Sequence, residues 1–553
     1  MKKAKIVRLL VVLGFFIIDI KLSNAQISPG EGDSLNYSQV LFEIPDLSYA
    51  KKYRFTIFND SNQIIKDTLQ VLNHIILTDL FYFGKPYSWK YEYVGDKGVV
   101  LYTSGLVHFR LRHLPATTGL MKPAVRLDLP EKKGIVFIDG SRSAINSAGE
   151  TVWFLPAAFA NGIRDLELMA NGNVKYLTDV HQLIQTSVDG NRNMHIPGAE
   201  LYKFHHDAIA LKNNHFLVCG FLPASAKQEA AELTGSAFSS PGDAQQATSA
   251  VLEINQNGDL VWYFDLIEEC RKQLKLDLRG SKESKRLGHM NGLAINDSGT
   301  VIYASFKNFS NVFEIRKKDK AIRRIYGNVN FNSKDTTGSG RNFAAQHCPV
   351  VLSNQHLMVF NNNTGAKPSS VVELDKEDKK VWEYVFSTHD SVTEHTGHMG
   401  SVTELRNGQF LICGGLYNNR IFTVSRQKKL SGELYILTKD SNPMSSYRVS
   451  YSPTLYPCIY TLRYTKDNKA LAGQAPQLTL AFTIDNGGIT DDLYKIRVMN
   501  ESGKVLQTSS IAVKRKEAKK NVIAFKSTSP DKAFIVEVES TLSSVKRSLQ
   551  FTR

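Results

Sequence analysis

The chain has 553 residues, 42% hydrophobic, 22% charged and 10% aromatic, a balance that excludes a disordered chain, a collagen-like fibre and a low-complexity scaffold. Its 68 Lys and Arg against 53 Asp and Glu give a formal charge of +15. Spread over so long a chain, that excess describes a basic solvated surface and makes no case for nucleic acid. The five cysteines, Cys219, Cys270, Cys348, Cys413 and Cys458, are odd in number and widely spaced, which argues against a disulfide framework.

Residues 1–25 read as a secretory signal peptide. Lys2, Lys3, Lys5 and Arg8 precede the apolar run Leu9–Ile18, and Ser23-Asn24-Ala25 offers small residues for cleavage before Gln26. The run is shorter than the ~20 apolar residues of a membrane span. No Cys stands at the cleavage point to take a lipid anchor, and no later apolar stretch is long enough to span a bilayer. The expected product is periplasmic or secreted. Residues 26–115 follow with short runs of period-two alternation, such as Tyr53-Arg54-Phe55-Thr56-Ile57 and Trp89-Lys90-Tyr91-Glu92-Tyr93-Val94. Turn signals at Asn59-Asp60 and Gly95-Asp96 separate them, which predicts a small β-sandwich of the immunoglobulin or fibronectin III kind.

An internal repeat fills residues 116–465. One unit is a strand, an Asn/Asp-Gly turn and a second apolar strand, as in Leu166–Val174, Ala208–Leu217, Leu293–Val301 and Val402–Leu411. A second unit places Trp just after a polar turn, at Trp153, Trp262 and Trp382. Two hairpins per repeat make a four-stranded sheet, and this spacing predicts six blades of a β-propeller. The long connections 220–249 and 265–288 suit the walls of a funnel at one end of the ring. Cys219 and Cys413 sit inside apolar strands and read as small buried hydrophobes. Residues 466–553 return to alternation, at Leu478–Phe482, Tyr494–Val498 and Phe534–Val538, and predict a β-sandwich-like accessory domain. The whole chain is expected to be all-β.

Histidines mark the repeat. His205-His206-Asp207, His289-Met290-Asn291, Gln346-His347-Cys348 and His398-Met399-Gly400 each stand at the start of the first strand of a repeat. Innermost propeller strands line the central channel, so equivalent positions 50–80 residues apart converge on one small volume. His398 is placed with the substrate-binding candidates, although Gly400 follows where the other repeats carry a polar neighbour. His215, His356 and His389 fall in turns and read as solvated.

The run His205-His206-Asp207, His289-x-Asn291, Ser305-Phe306-Lys307 and Gln346-His347, followed by Phe360-Asn361-Asn362, resembles the bacterial arylsulfate sulfotransferase family. The resemblance covers roughly residues 26–465. It implies an exported enzyme, without a nucleotide donor, that moves a sulfuryl group between phenols on a six-bladed propeller with an N-terminal β-sandwich. It further implies that His347 is the nucleophile forming a sulfohistidine and that His289 moves the proton at the phenolic oxygen. His206, or its neighbour His205, would contact the phenol or the sulfuryl oxygens. Asn291 would help stabilise the developing charge. The family's Ser-Ser-Arg segment reads Ser305-Phe306-Lys307 here, which keeps a catalytic cation at Lys307 but loses the planar two-donor fork. Asn361-Asn362-Asn363-Thr364-Gly365 resembles the family's Asp-Asn-Gly turn, which either orients His347 or simply closes a loop.

The chemistry agrees with those roles. A neutral imidazole is a competent nucleophile near neutral pH, a second His serves as acid and then base, and a covalent intermediate predicts ping-pong kinetics. No cofactor and no metal are implied. The partners are a phenolic sulfate donor and a phenol acceptor, with no nucleic acid and no membrane span, and a homodimer is left open. Two alternatives stand beside this reading: a metal-dependent propeller hydrolase or lyase using the converging histidines, and a non-catalytic binding propeller.

Overall fold

The computed structural model describes residues 27–552 apart from 48, 117, 157–161, 224–247, 276–288, 328–341, 366, 388–393, 417, 466–470, 475–476 and 527–532. The proposed signal peptide, His389 and most of the two long connections lie outside the described residues. The described chain is 54% strand and 4% helix, an all-β, propeller-like protein.

Among the described residues, six antiparallel sheets succeed one another between residues 120 and 452. Their innermost strands are Val449–Ser452, Ile163–Leu168, His205–Ala210, Met290–Ile295, His347–Val351 and Ser401–Glu404. Each of these packs on the next, and the sixth returns to Val449–Ser452, so the contacts close a ring. Closure uses the two ends of the repeat. Val449–Ser452 pairs with Ile135–Ile138 of the first sheet, and Leu120–Val125 adds a fifth strand to the sixth sheet beside Leu430–Leu437.

A sheet buried on both faces must be apolar on both, and that condition sets the packing. Six hydrophobic seams result, one between each pair of neighbouring sheets. Phe137 and Trp153 of the first sheet meet Val174 and Tyr176 of the second, and Phe360 and Tyr384 of the fifth meet Phe410 and Phe422 of the sixth. The repeated tryptophans explain themselves here. Trp153, Trp262 and Trp382 each donate the indole N–H to a carbonyl of the following sheet, at Val188, Lys317 and Arg426.

Polar staples run round the ring near its axis. Asp139 accepts from the backbone N–H of Asp165, Asp165 from Ala208, and Asp207 from Leu293, at 2.7–3.0 Å. Asn291 donates to the Gln346 carbonyl, and the Val449 amide donates to Ser401 Oγ. Because buried backbone groups must find partners, these side chains fix the angular position of each sheet.

The flanks form separate cores. Near the N-terminus, Phe42, Phe55, Trp89 and Phe109 pack between a six-stranded and a two-stranded sheet. At the other end, two four-stranded sheets enclose Phe482, Tyr494, Phe534 and Phe551. Tyr460–Tyr464, ahead of position 466, already pairs with Gln477–Asn486 and belongs with those sheets. All five cysteines are free, and four of them are buried. Among the described residues no helix is long and apolar enough to cross a membrane.

Candidate active site

The starts of the innermost strands carry a shared distortion. His205 pairs with Cys219, and the register then slips before Ala208; His347 pairs with Phe360, and the register slips before Val350. His206, His289 and Cys348 all have positive φ, at 61°, 44° and 46°. Such bulges re-aim side chains, and here the histidines meet. The rings of His205 and His206 are edge-on at 4.9 Å between centroids, as are those of His206 and His289. Tyr447, just ahead of Val449–Ser452, lies 6.1 Å from the His206 ring and 6.3 Å from that of His347.

His347 is buried, and its Nδ1 lies 2.6 Å from Asn362 Oδ1. The orientation of that amide is set independently, because Asn362 Nδ2 donates to the carbonyls of Thr396 and Met399, both at 2.9 Å. Oδ1 therefore faces the imidazole and can only accept. The proton must sit on Nδ1, which leaves the lone pair of His347 on Nε2. Burial pushes the His347 pKa down to about 3; the Asn362 bond opposes this, and the charges of Lys307, Arg448 and His289 add to it. The ring is neutral at physiological pH.

His205 and His206 share a 2.7 Å contact between their Nδ1 atoms. Burial, with His289 and His181 adding, takes His205 down to about 3, and burial with His205 and His289 takes His206 well below its usual value. One Nδ1 must donate and the other accept. Among the described residues the Nε2 of His205 is buried without a partner. An unmet lone pair is cheaper than an unmet N–H, so His205 donates from Nδ1 and His206 carries its proton on Nε2.

Lys307 Nζ lies 2.7 Å from Nδ1 of the exposed His398, and burial lowers the ammonium pKa. His398 thus acts on the position of Lys307. Gly400 replaces a polar neighbour for a steric reason: its φ is +98°, and a Cβ there would stand 2.3 Å from the Phe360 ring. Asn291 is wholly buried, with Nδ2 on the Gln346 carbonyl at 2.7 Å and Oδ1 accepting from Ser305 at 2.8 Å. Its side chain holds the strand that carries His347. His215 and His356 are half-buried rather than solvated, each 2.8 Å from a carboxylate, Glu253 and Glu373.

Residues 136–388 match the arylsulfotransferase (ASST) family model. This stretch is similar to the arylsulfotransferase family. The match supports aryl sulfotransferase activity in general terms, and it includes His205, His206, His289, Lys307 and His347. No curated protein matches the chain. Among solved structures, a protein of unknown function from Bacteroides thetaiotaomicron is 12% identical with a TM-score of 0.33, covering 75% of this chain and 87% of its own. Hydrazine synthase from Kuenenia stuttgartiensis is 10% identical with a TM-score of 0.21, covering 48% and 59%. An exo-β-1,3-galactanase from Phanerochaete chrysosporium is 9% identical with a TM-score of 0.28, covering 75% and 98%.

Beneath the imidazoles lies a buried ion network absent from the sequence reading. Arg448 grips Asp207 through two nitrogens at 2.7 and 2.8 Å and reaches Asp165 at 3.5 Å, while its backbone N–H donates to Asp139. Lys175 pairs with Asp165 and Glu167 at 2.7 and 2.9 Å. Asp165 and Asp207 are therefore committed to cations, while Asp139 is held by Ser446 and by backbone N–H groups. Among the described residues no three His, Cys, Asp or Glu side chains are placed to hold a metal ion.

Proposed function

We propose that the protein is an exported arylsulfate sulfotransferase that carries the sulfuryl group on Nε2 of His347. The observation that supports this most is the fixed tautomer: Asn362, itself locked by two carbonyls, leaves His347 neutral with its lone pair on Nε2. In the first half-reaction Nε2 attacks the ester sulfur, the S–O bond to the phenol breaks, and the phenolate leaves with the bonding pair. His289 gives the departing oxygen a proton. The second half-reaction is the reverse with a new phenol, His289 acting as base and the S–N bond breaking. Lys307 and the Nε2–H of His206 face the charge that grows on the sulfuryl oxygens, where preorganised donors are most effective.

The test is a stopped reaction with a chromogenic aryl sulfate and no acceptor. One equivalent of phenol should be released, and the peptide bearing His347 should gain the mass of one sulfuryl group. Adding a phenol should then restore turnover with parallel-line kinetics. Continuous release in water alone, with no modified peptide, would refute the transferase reading.

A further inference from the structure

Arg164 occupies the position in the second sheet that His205 and His347 occupy in theirs. It pairs with Leu177, the register slips before Glu167, and the next residue, Asp165, has φ of 57°. Its guanidinium carbon lies 5.7 Å from the centre of the Tyr447 ring, the ring that also touches His206 and His347. Its charge depresses the pKa of both His205 and His206.

The two arginines on Tyr447 differ in one respect. Arg448, 5.6 Å from the ring centre on its own account, is bound to Asp207 and Asp165. Arg164 is half-exposed and, among the described residues, makes no ion pair or hydrogen bond. Its nearest carboxylate in sequence, Asp165, is already held by Lys175 and Arg448. Arg164 stands beside the neutral rings of His205 and His206, and a guanidinium left there without a counter-ion among the described residues lacks an anion. A planar fork suits an oxyanion better than an ammonium does.

We propose that Arg164 is a substrate-binding residue that takes the sulfate-ester oxygens of the donor, supplying the bidentate contact Lys307 cannot make. This rests on the sulfuryl-transfer reading, so the test has an arm that needs no turnover. The unreactive probe 4-nitrobenzenesulfonate is titrated calorimetrically into the full chain, its Arg164→Gln and Arg164→Lys variants, with thermal melts as a fold control. Losing a charge-assisted pair should weaken binding by about tenfold or more in Arg164→Gln and less in Arg164→Lys. In turnover, KM for the aryl sulfate should rise in the same order, while KM for the phenol stays within about twofold. Equal sulfonate affinity in all three proteins, or no binding by the unaltered chain, would overturn the proposal. Active variants with unchanged affinity would remove Arg164 alone and leave the transferase reading intact. Absent turnover with Arg164-dependent binding would remove that reading and keep the anion site.

Discussion

Two sets of histidines sit in this ring, and their surroundings are opposite. At the periphery, His215 and His356 each face a carboxylate at 2.8 Å, and an asparagine, Asn213 or Asn354, binds the same carboxylate. At the axis, His347 faces an amide, His205 faces His206, and His398 faces an ammonium. A carboxylate partner makes a staple. An amide in a buried site fixes a tautomer and keeps a lone pair available. The residue type is shared, and the partner decides what it can do.

The sharpest way to break that contrast is to truncate one member of each set. His347→Ala should lower transfer from an aryl sulfate to a phenol by at least about a thousandfold, since a lost nucleophile has no substitute. His356→Ala should leave the rate within about twofold and only lower the melting temperature. Initial rates and melts on the two variants decide it; equal losses of activity would dissolve the distinction.

Changing the partner should have the next largest effect. Asn362→Leu removes the acceptor that fixes Nδ1–H, and kcat should fall about a hundredfold with little change in KM. Asn362→Asp puts a carboxylate in the same place and gives His347 a peripheral environment. Its pKa should rise from about 3 toward the usual value, and the acid limb of kcat/KM should move up with it. An unmoved acid limb would show that Asn362 does not set the protonation of His347.

Stability should record the same asymmetry. His347 and His205 stay neutral in the folded protein down to about 3, whereas in the unfolded chain they take a proton near 6.5. Between those values the unfolded state binds more protons. The folded state therefore loses stability as pH falls from about 6.5 toward 3, by up to about 1.4 kcal/mol per pH unit for each such imidazole. Denaturant midpoints at pH 7 and pH 5 should fall less in His347→Gln than in the unaltered protein. A pH dependence identical in both would place the lost stability elsewhere.

Much of this was legible before any coordinates. Period-two runs, Asn-Gly turns and recurrent Trp follow from local physics, since alternation buries one face and a tight turn needs its own residue types. The histidine register was legible because one rare residue type recurred at equivalent strand starts. Arg164 shares that register with His205 and His347, but a search keyed to imidazole passes over it. Tyr447 and Arg448 were hidden for a topological reason: their strand, Val449–Ser452, closes the first sheet from the far end of the repeat. Period and turn chemistry specify a strand without specifying its partner. The contact between Lys307 and His398 joins residues of two sheets, and no local pattern encodes it.

The smallest effect is expected at the periphery. Glu373 is buried and accepts from Asn354 and Arg426 besides meeting His356. Burial alone would raise its pKa, but these three donors outweigh burial and hold the carboxyl below the usual range. A carboxylate so depressed adds stability above its unfolded pKa and loses it as the solution becomes more acidic. Glu373→Gln should therefore cost about 1–2 kcal/mol at pH 7, a few degrees of melting temperature, with the difference shrinking in acid. Transfer should be unchanged, because the staple sits at the turn end of the fifth sheet's strands, opposite the strand start that carries His347. A melt paired with a rate measurement would separate the outcomes, and a rate that fell with the melting temperature would mean the outer staple governs the axis as well.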